Sequence, residues 1–129
     1  MRFKYNSPSY KLWRAKCFKR DRFTCRLCGH KGGALNAHHI KRKVDFPHLV
    51  YRADNSITLC KKCHDIVTGN EVLFEKFFMK IVKDTLTIDY VYQFFASVIT
   101  GYPKIVKALK DKGMWQLIPQ NLVNQVKNM

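Results

Sequence analysis

Two C-x-x-C pairs, Cys25 with Cys28 and Cys60 with Cys63, constrain this chain more than any other feature of it. A two-residue gap folds back so that both sulfurs lie on one side, and two such pairs present four thiolates to one tetrahedral ion, most simply a structural zinc. Gly29 permits the tight knuckle after the first pair. A closed four-thiolate site leaves no coordination position for chemistry, so the pairs predict a staple rather than a reaction centre. A redox dithiol needs only one pair and a thioredoxin-like setting, which is missing here. The fifth cysteine, Cys17, falls in the apolar stripe of a predicted helix and reads as core. The 31 residues between the pairs exceed the spacing of a minimal zinc ribbon, so the insert must form structure of its own.

A chain of 129 residues has the size of one ordinary domain with an appendage. Its 24 Lys and Arg against 9 Asp and Glu give a net charge of +15, which opposes compaction unless a polyanion neutralises it. The charge is uneven: residues 1–64 hold 16 basic and 3 acidic residues, residues 65–129 only 8 and 6. The footprint of a nucleic acid is therefore expected on the first half. The longest charge-free runs, Tyr90 to Pro103 and Gly113 to Val126, fall short of the roughly 20 apolar residues of a membrane span. Without a signal-like opening, and with cysteines spaced for metal in a reducing compartment, a soluble cytoplasmic protein with no membrane partner is expected.

Ser7-Pro8 starts a predicted helix over about residues 8–19, with Leu12, Trp13, Cys17 and Phe18 on its apolar stripe and Lys11, Arg14 and Lys16 solvated or touching phosphate. Leu35 to Ile40 reads as a short strand, residues 41–55 as a long basic loop, Ser56 to Leu59 as a second strand, and Cys60 to Thr68 as a short helix ended by Gly69. Beyond Asn70, a potential cap, the texture turns helical: one helix carries Val72, Leu73, Phe74, Phe77, Phe78, Ile81 and Val82, a second runs from Ile88 to Thr100 and is closed by Gly101, and a third runs from Lys104 to Lys112 and is closed by Gly113. The expected class is α+β, a small metal-stapled unit over residues 1–69 with a helical extension over 70–129 packed on it. Burying the aromatic residues Phe74, Phe77, Phe78, Tyr90, Tyr92, Phe94 and Phe95 is the favoured role of the extension. Lys104, Lys107 and Lys110 on one helix side suggest DNA docking instead, and an exposed aromatic face of that size would suit a homodimer contact.

Within or beside the cysteine frame lie His38-His39 at the end of the first strand, Asn55 before the second, and His64 directly after the last cysteine. The stretches Cys25-x-x-Cys28-Gly29, Ala37-His38-His39-Ile40 and Asp54-Asn55-Ser56-Ile57-Thr58-Leu59-Cys60-x-x-Cys63-His64 resemble the HNH endonuclease family, whose β-β-α-metal unit is stapled by such a zinc site in many members. The lead-in Trp13 to Arg20-Asp21-Arg22-Phe23-Thr24 looks similar too, so the resemblance spans about residues 8–69. It implies a metal-dependent DNA endonuclease that hydrolyses phosphodiester bonds to 5′-phosphate and 3′-hydroxyl ends. By resemblance His39 is the general base, oriented by the Asn55 side chain or nearby backbone, and His38 with His64 binds one catalytic divalent metal that contacts the scissile phosphate and the leaving 3′ oxygen. Small free-standing members often belong to phages or mobile elements, which implies a phage or homing-type nuclease. Many members carry Asp where this chain has His38, so two imidazoles replace a carboxylate and leave Mg2+, Mn2+, Ni2+ and Zn2+ all open as the catalytic ion.

Lys41, Arg42, Lys43, Arg52, Lys61 and Lys62 flank these elements and are expected to bind phosphates of a double-stranded DNA. His30 and His48 read as ordinary surface residues. Neighbours on a regular strand point to opposite faces, so a bend is expected where His38 and His39 meet a common cleft. The competing function is a non-catalytic zinc-ribbon protein that binds nucleic acid, with incidental histidines.

Overall fold

The computed structural model describes residues 3–114, 117–120 and 122. The last part of the predicted extension, and with it most of the run from Gly113 to Val126, lies outside the described residues. Helix α1 (Pro8–Arg20) begins where the Ser7 hydroxyl accepts the Tyr10 amide at 3.2 Å and Pro8 takes the first turn. It buries Trp13, Cys17 and Phe18. Cys17 lies 3.4 Å from Thr58 Oγ1, and burial raises its thiol pKa, which makes it an inert core residue as its position in the stripe predicts.

Strands β1 (Leu35–His39) and β2 (Ser56–Cys60) pair antiparallel, from Leu35 opposite Cys60 to His39 opposite Ser56. The buried β2 runs directly into α2 (Lys61–Val67), where Gly69, at φ 87°, turns the chain in a conformation that favours glycine. The predicted loop 41–55 is partly regular: Pro47–Leu49 and Ala53–Asn55 form 3-10 turns, closed by Val50 N–H on Pro47 O and Asn55 N–H on Arg52 O. Single-turn helices of this kind carry no periodicity for a sequence to display.

Helices α3 (Glu71–Val82), α4 (Ile88–Gly101) and α5 (Pro103–Asp111) form the extension. Asn70 does not cap α3 with its side chain, which instead donates Nδ2 to Ile66 O at 2.9 Å and ties α3 to the end of α2. Gly101 is the last residue of α4 rather than a left-handed stop, because Pro103 opens α5 one residue earlier than expected. The phenylalanine rings pack inward, with Phe77 and Phe94 4.4 Å apart and Phe74 stacked on Phe78 at 5.4 Å, whereas Tyr90 is only partly buried and Tyr92, expected in the core, is exposed on the outer side of α4. One buried cluster runs from Cys25, Ile57 and Leu59 through Cys60 and Cys63 to Phe78, Phe95, Val106 and Leu122. Among the described residues no helix is long and apolar enough to cross a membrane.

Asp21, only 4% exposed, locks α1 to β2. Its carboxylate accepts from Arg20 Nη2 and Arg26 Nη1, each at 2.8 Å, and from the Thr58 amide at 3.0 Å, while Arg20 also donates to Ser56 O at 2.8 Å. Burial pushes the carboxyl pKa up, but the donors Arg20, Thr58 and Arg26 outweigh it and hold the group below its ordinary value. A depressed folded-state pKa contributes stability above the unfolded value near pH 4 and loses it as pH falls through the folded value. Asp21→Ala leaves the Thr58 amide without its acceptor and takes the carboxylate from two guanidiniums, so a loss of about 3 kcal/mol, or roughly 10 °C in melting temperature, is expected in thermal denaturation. Asp21→Asn should also flatten the acid limb of the stability curve.

Candidate active site

Five consecutive residues, Leu35 to His39, line one cleft of about 500 Å³ with Tyr5, Tyr10, Arg14, Arg42, Lys43, Val44, His64 and Glu71. All five residues of β1 line it, as expected of a cleft along the free edge of the two-stranded sheet. The expected bend is therefore not needed at the histidine pair. The ladder is regular through His39, and the chain bends only at Ile40 and Lys41. His38 and His39 share the cleft while facing different neighbours, α2 and α3 for the first and α1 for the second.

His39 lies flat on the buried Trp13 indole, ring centroids 4.0 Å apart and planes within 9°. Its Nε2 is 2.9 Å from Val50 O. A carbonyl can only accept, so Nε2 carries the proton and Nδ1 the lone pair. Burial lowers the His39 pKa and the Lys43 charge adds to this, against the opposing Val50 bond, so the imidazole is neutral at pH 7. Asn55, 2% exposed, does not bond to His39: its Oδ1 accepts from Lys41 N at 2.7 Å, and its Nδ2 donates to Lys41 O and Leu49 O, each at 3.2 Å. Of the two orienting groups named from the sequence, the backbone touches the ring, and Asn55 fastens the loop that carries Val50.

On the other face, the His38 ring meets His64 edge-on at 6.0 Å between centroids and packs on Phe78 at 5.9 Å. His38 Nε2 is buried with no hydrogen-bond partner. Burial, reinforced by His64, lowers the His38 pKa to about 4, so the ring offers a bare lone pair at neutral pH. A buried orphaned nitrogen beside a second imidazole is a donor set in want of an acceptor, and it fits a divalent ion. His64 is held on α2, whose end is secured by Thr68 N–H and Oγ1–H, both donated to His64 O.

The cysteines converge as their spacing predicts. Their four Sγ atoms lie within 4.8 Å of one another, and Cys28 Sγ and Cys60 Sγ are 3.6 Å apart. Sulfurs about 2.3 Å from a tetrahedral zinc stand about 3.8 Å from each other, so the set can hold such an ion. A hydrogen bond from the Cys63 thiol, helped by backbone amides, lowers the Cys25 pKa to about 4, while Cys63 is raised by sharing its proton and burial pushes Cys28 to about 11.

Of the basic residues expected to meet phosphate, Arg42 and Lys43 line the cleft, together with Arg14. Lys61 and Lys62 border a separate hollow beside the cysteines, with His30 and Lys112. Lys41 pairs with Glu75 at 2.7 Å and Arg52 with Asp54 at 3.0 Å. His30 and His48 do not line the cleft. The sequence reading missed Glu71 and the aromatic wall of Tyr5 and Tyr10, and it placed Trp13 on an apolar stripe and in the lead-in helix without linking it to a histidine. A tryptophan on a helix gives no sign that its partner will be an imidazole 26 positions away, and an acid in a first helical turn reads as a dipole partner.

The family model described as HNH endonuclease matches residues 25–69, from the first cysteine to the glycine after α2. That segment carries both strands, α2, the four cysteines and the four candidate active-site residues, and over it the chain is similar to that family. No curated protein and no solved structure gives a significant match to the chain.

Proposed function

We propose that the chain is a divalent-metal-dependent endonuclease that hydrolyses phosphodiester bonds in double-stranded DNA. The observation that carries this reading is the orphaned His38 Nε2 beside His64, in the same cleft as a neutral, Trp-stacked His39. His38 and His64 would hold the ion. When bound, it supplies Lewis-acid stabilisation of charge on the phosphoryl and leaving 3′ oxygens. His39 Nδ1 takes a proton from the attacking water, and the Val50 carbonyl bond to Nε2 steadies the ring as it becomes cationic. Arg42 and Lys43 bind the flanking phosphates, and Lys41, Arg52, Lys61 and Lys62 extend the contact beyond the cleft. The cysteine set holds zinc as a structural staple. By its resemblance to the family, the nuclease would be of the phage or homing type.

The test is conversion of supercoiled plasmid by purified protein across Mg2+, Mn2+, Ni2+ and EDTA. Nicking or linearisation is expected in at least one ion and none in EDTA. DNA binding without cleavage in any ion would favour the non-catalytic zinc-ribbon reading.

A further inference from the structure

We propose that Glu71, the first residue of α3, completes the catalytic cation site by accepting a hydrogen bond from a water on the ion held by His38 and His64. The inference rests on the reading of that pair as the metal site.

The chain places Glu71 there by construction of the α2 to α3 turn. Thr68 returns two bonds to His64 O, Gly69 turns at φ 87°, and Glu71 Oε1 accepts the Gly69 amide at 3.1 Å. The carboxylate is thus tethered to the same turn that holds His64, and it lines the cleft with both imidazoles. Among the described residues, only the four cysteines form a set of three or more such side chains with donor atoms within 4.8 Å of one another. His38, His64 and Glu71 are not such a set, so the proposal gives Glu71 a water on the ion rather than the ion itself.

The chemistry of the ion makes the consequence selective. Mg2+ and Mn2+ bind imidazole weakly and keep several waters, so a fixed anionic acceptor for those waters matters to them. Ni2+ gains most of its affinity from imidazole nitrogen and depends less on it. Outer partners of a bound ion typically govern 10- to 100-fold of its affinity. An ordinary role for Glu71, as an acid favourable at a helix N-terminus, predicts no such discrimination.

The experiment measures Mn2+ binding by electron paramagnetic resonance and Ni2+ binding by calorimetry on the zinc-loaded chain, with Glu71→Gln, Glu71→Asp and His64→Ala compared. Glu71→Gln is expected to weaken Mn2+ by roughly 10-fold or more and Ni2+ much less, with Glu71→Asp, which keeps the charge, in between. His64→Ala should weaken both ions. If His64→Ala weakens both while Glu71→Gln weakens neither, or both alike, Glu71 has no such role and the histidine site stands. If His64→Ala changes neither, the ion is not in this cleft and both readings fall.

Discussion

His39→Ala is expected to lower the rate of DNA cleavage by about 10²- to 10⁴-fold or more, the range a positioned general base supplies, with DNA affinity near that of the parent chain. The expectation follows from how completely the ring is specified. Trp13 fixes its plane, and the Trp13 indole is itself pinned by Nε1–H donation to Arg52 O at 3.0 Å. Val50 O, two residues before Arg52, fixes its tautomer. Alanine removes the base and leaves Arg42 and Lys43 in the cleft to hold phosphate. Single-turnover cleavage and a binding titration, run on the same preparation, separate the two effects. Equal cleavage by parent and mutant would remove His39 from the mechanism.

The pH dependence has a definite sign. The base works neutral, and burial holds its pKa below the ordinary value. The kcat/KM profile, which reports the free enzyme, should begin its acid fall at a lower pH than an exposed imidazole would give. Trp13→Leu exposes the ring and weakens its desolvation, so it should move that acid limb to higher pH.

The second large effect concerns the cysteines. With zinc as the ion, Cys63→Ala is expected to abolish stoichiometric zinc binding and to lower the melting temperature by tens of degrees or remove the cooperative transition. Structural zinc binding is worth on the order of 10 kcal/mol, as much as the whole stability of a typical domain. Cys63 is fully buried, and its loss opens the ion to water and deletes a member of the core cluster. Zinc content by mass spectrometry and melting followed by circular dichroism provide the check. A mutant that keeps the parent's melting temperature would show the cysteines to be ordinary core. Acid should act in the same direction, because thiolates must stay deprotonated to remain bound.

The fold was legible where a residue's neighbours in sequence determine it. The Ser7-Pro8 start of α1, the two strands, the Gly69 turn and the convergence of Cys25, Cys28, Cys60 and Cys63 all follow from spacing and local chemistry. The 3-10 turns at Pro47–Leu49 and Ala53–Asn55 did not, since one turn has no period to read. In the cleft, the histidines and Asn55 stood out as a constellation, but their supports did not. Val50 contributes a carbonyl, which every residue has, and Trp13 contributes a face that serves core packing equally well. Glu71 was hidden for a related reason: its position depends on how α3 leaves α2, and Asn70 makes that turn by a bond back to Ile66 rather than by the capping its residue type suggests.

The sharing of one buried cluster by the metal-binding thiols and the aromatic rings of α3 and α4 has a biological corollary. Strands, cleft and helical extension are expected to order together, because Cys25, Cys60 and Cys63 belong to the same interior as Phe78 and Phe95. A newly made chain still waiting for its ion is expected to leave that shared interior open to solvent. Supply of that ion would then set when the whole molecule, cleft included, becomes ordered.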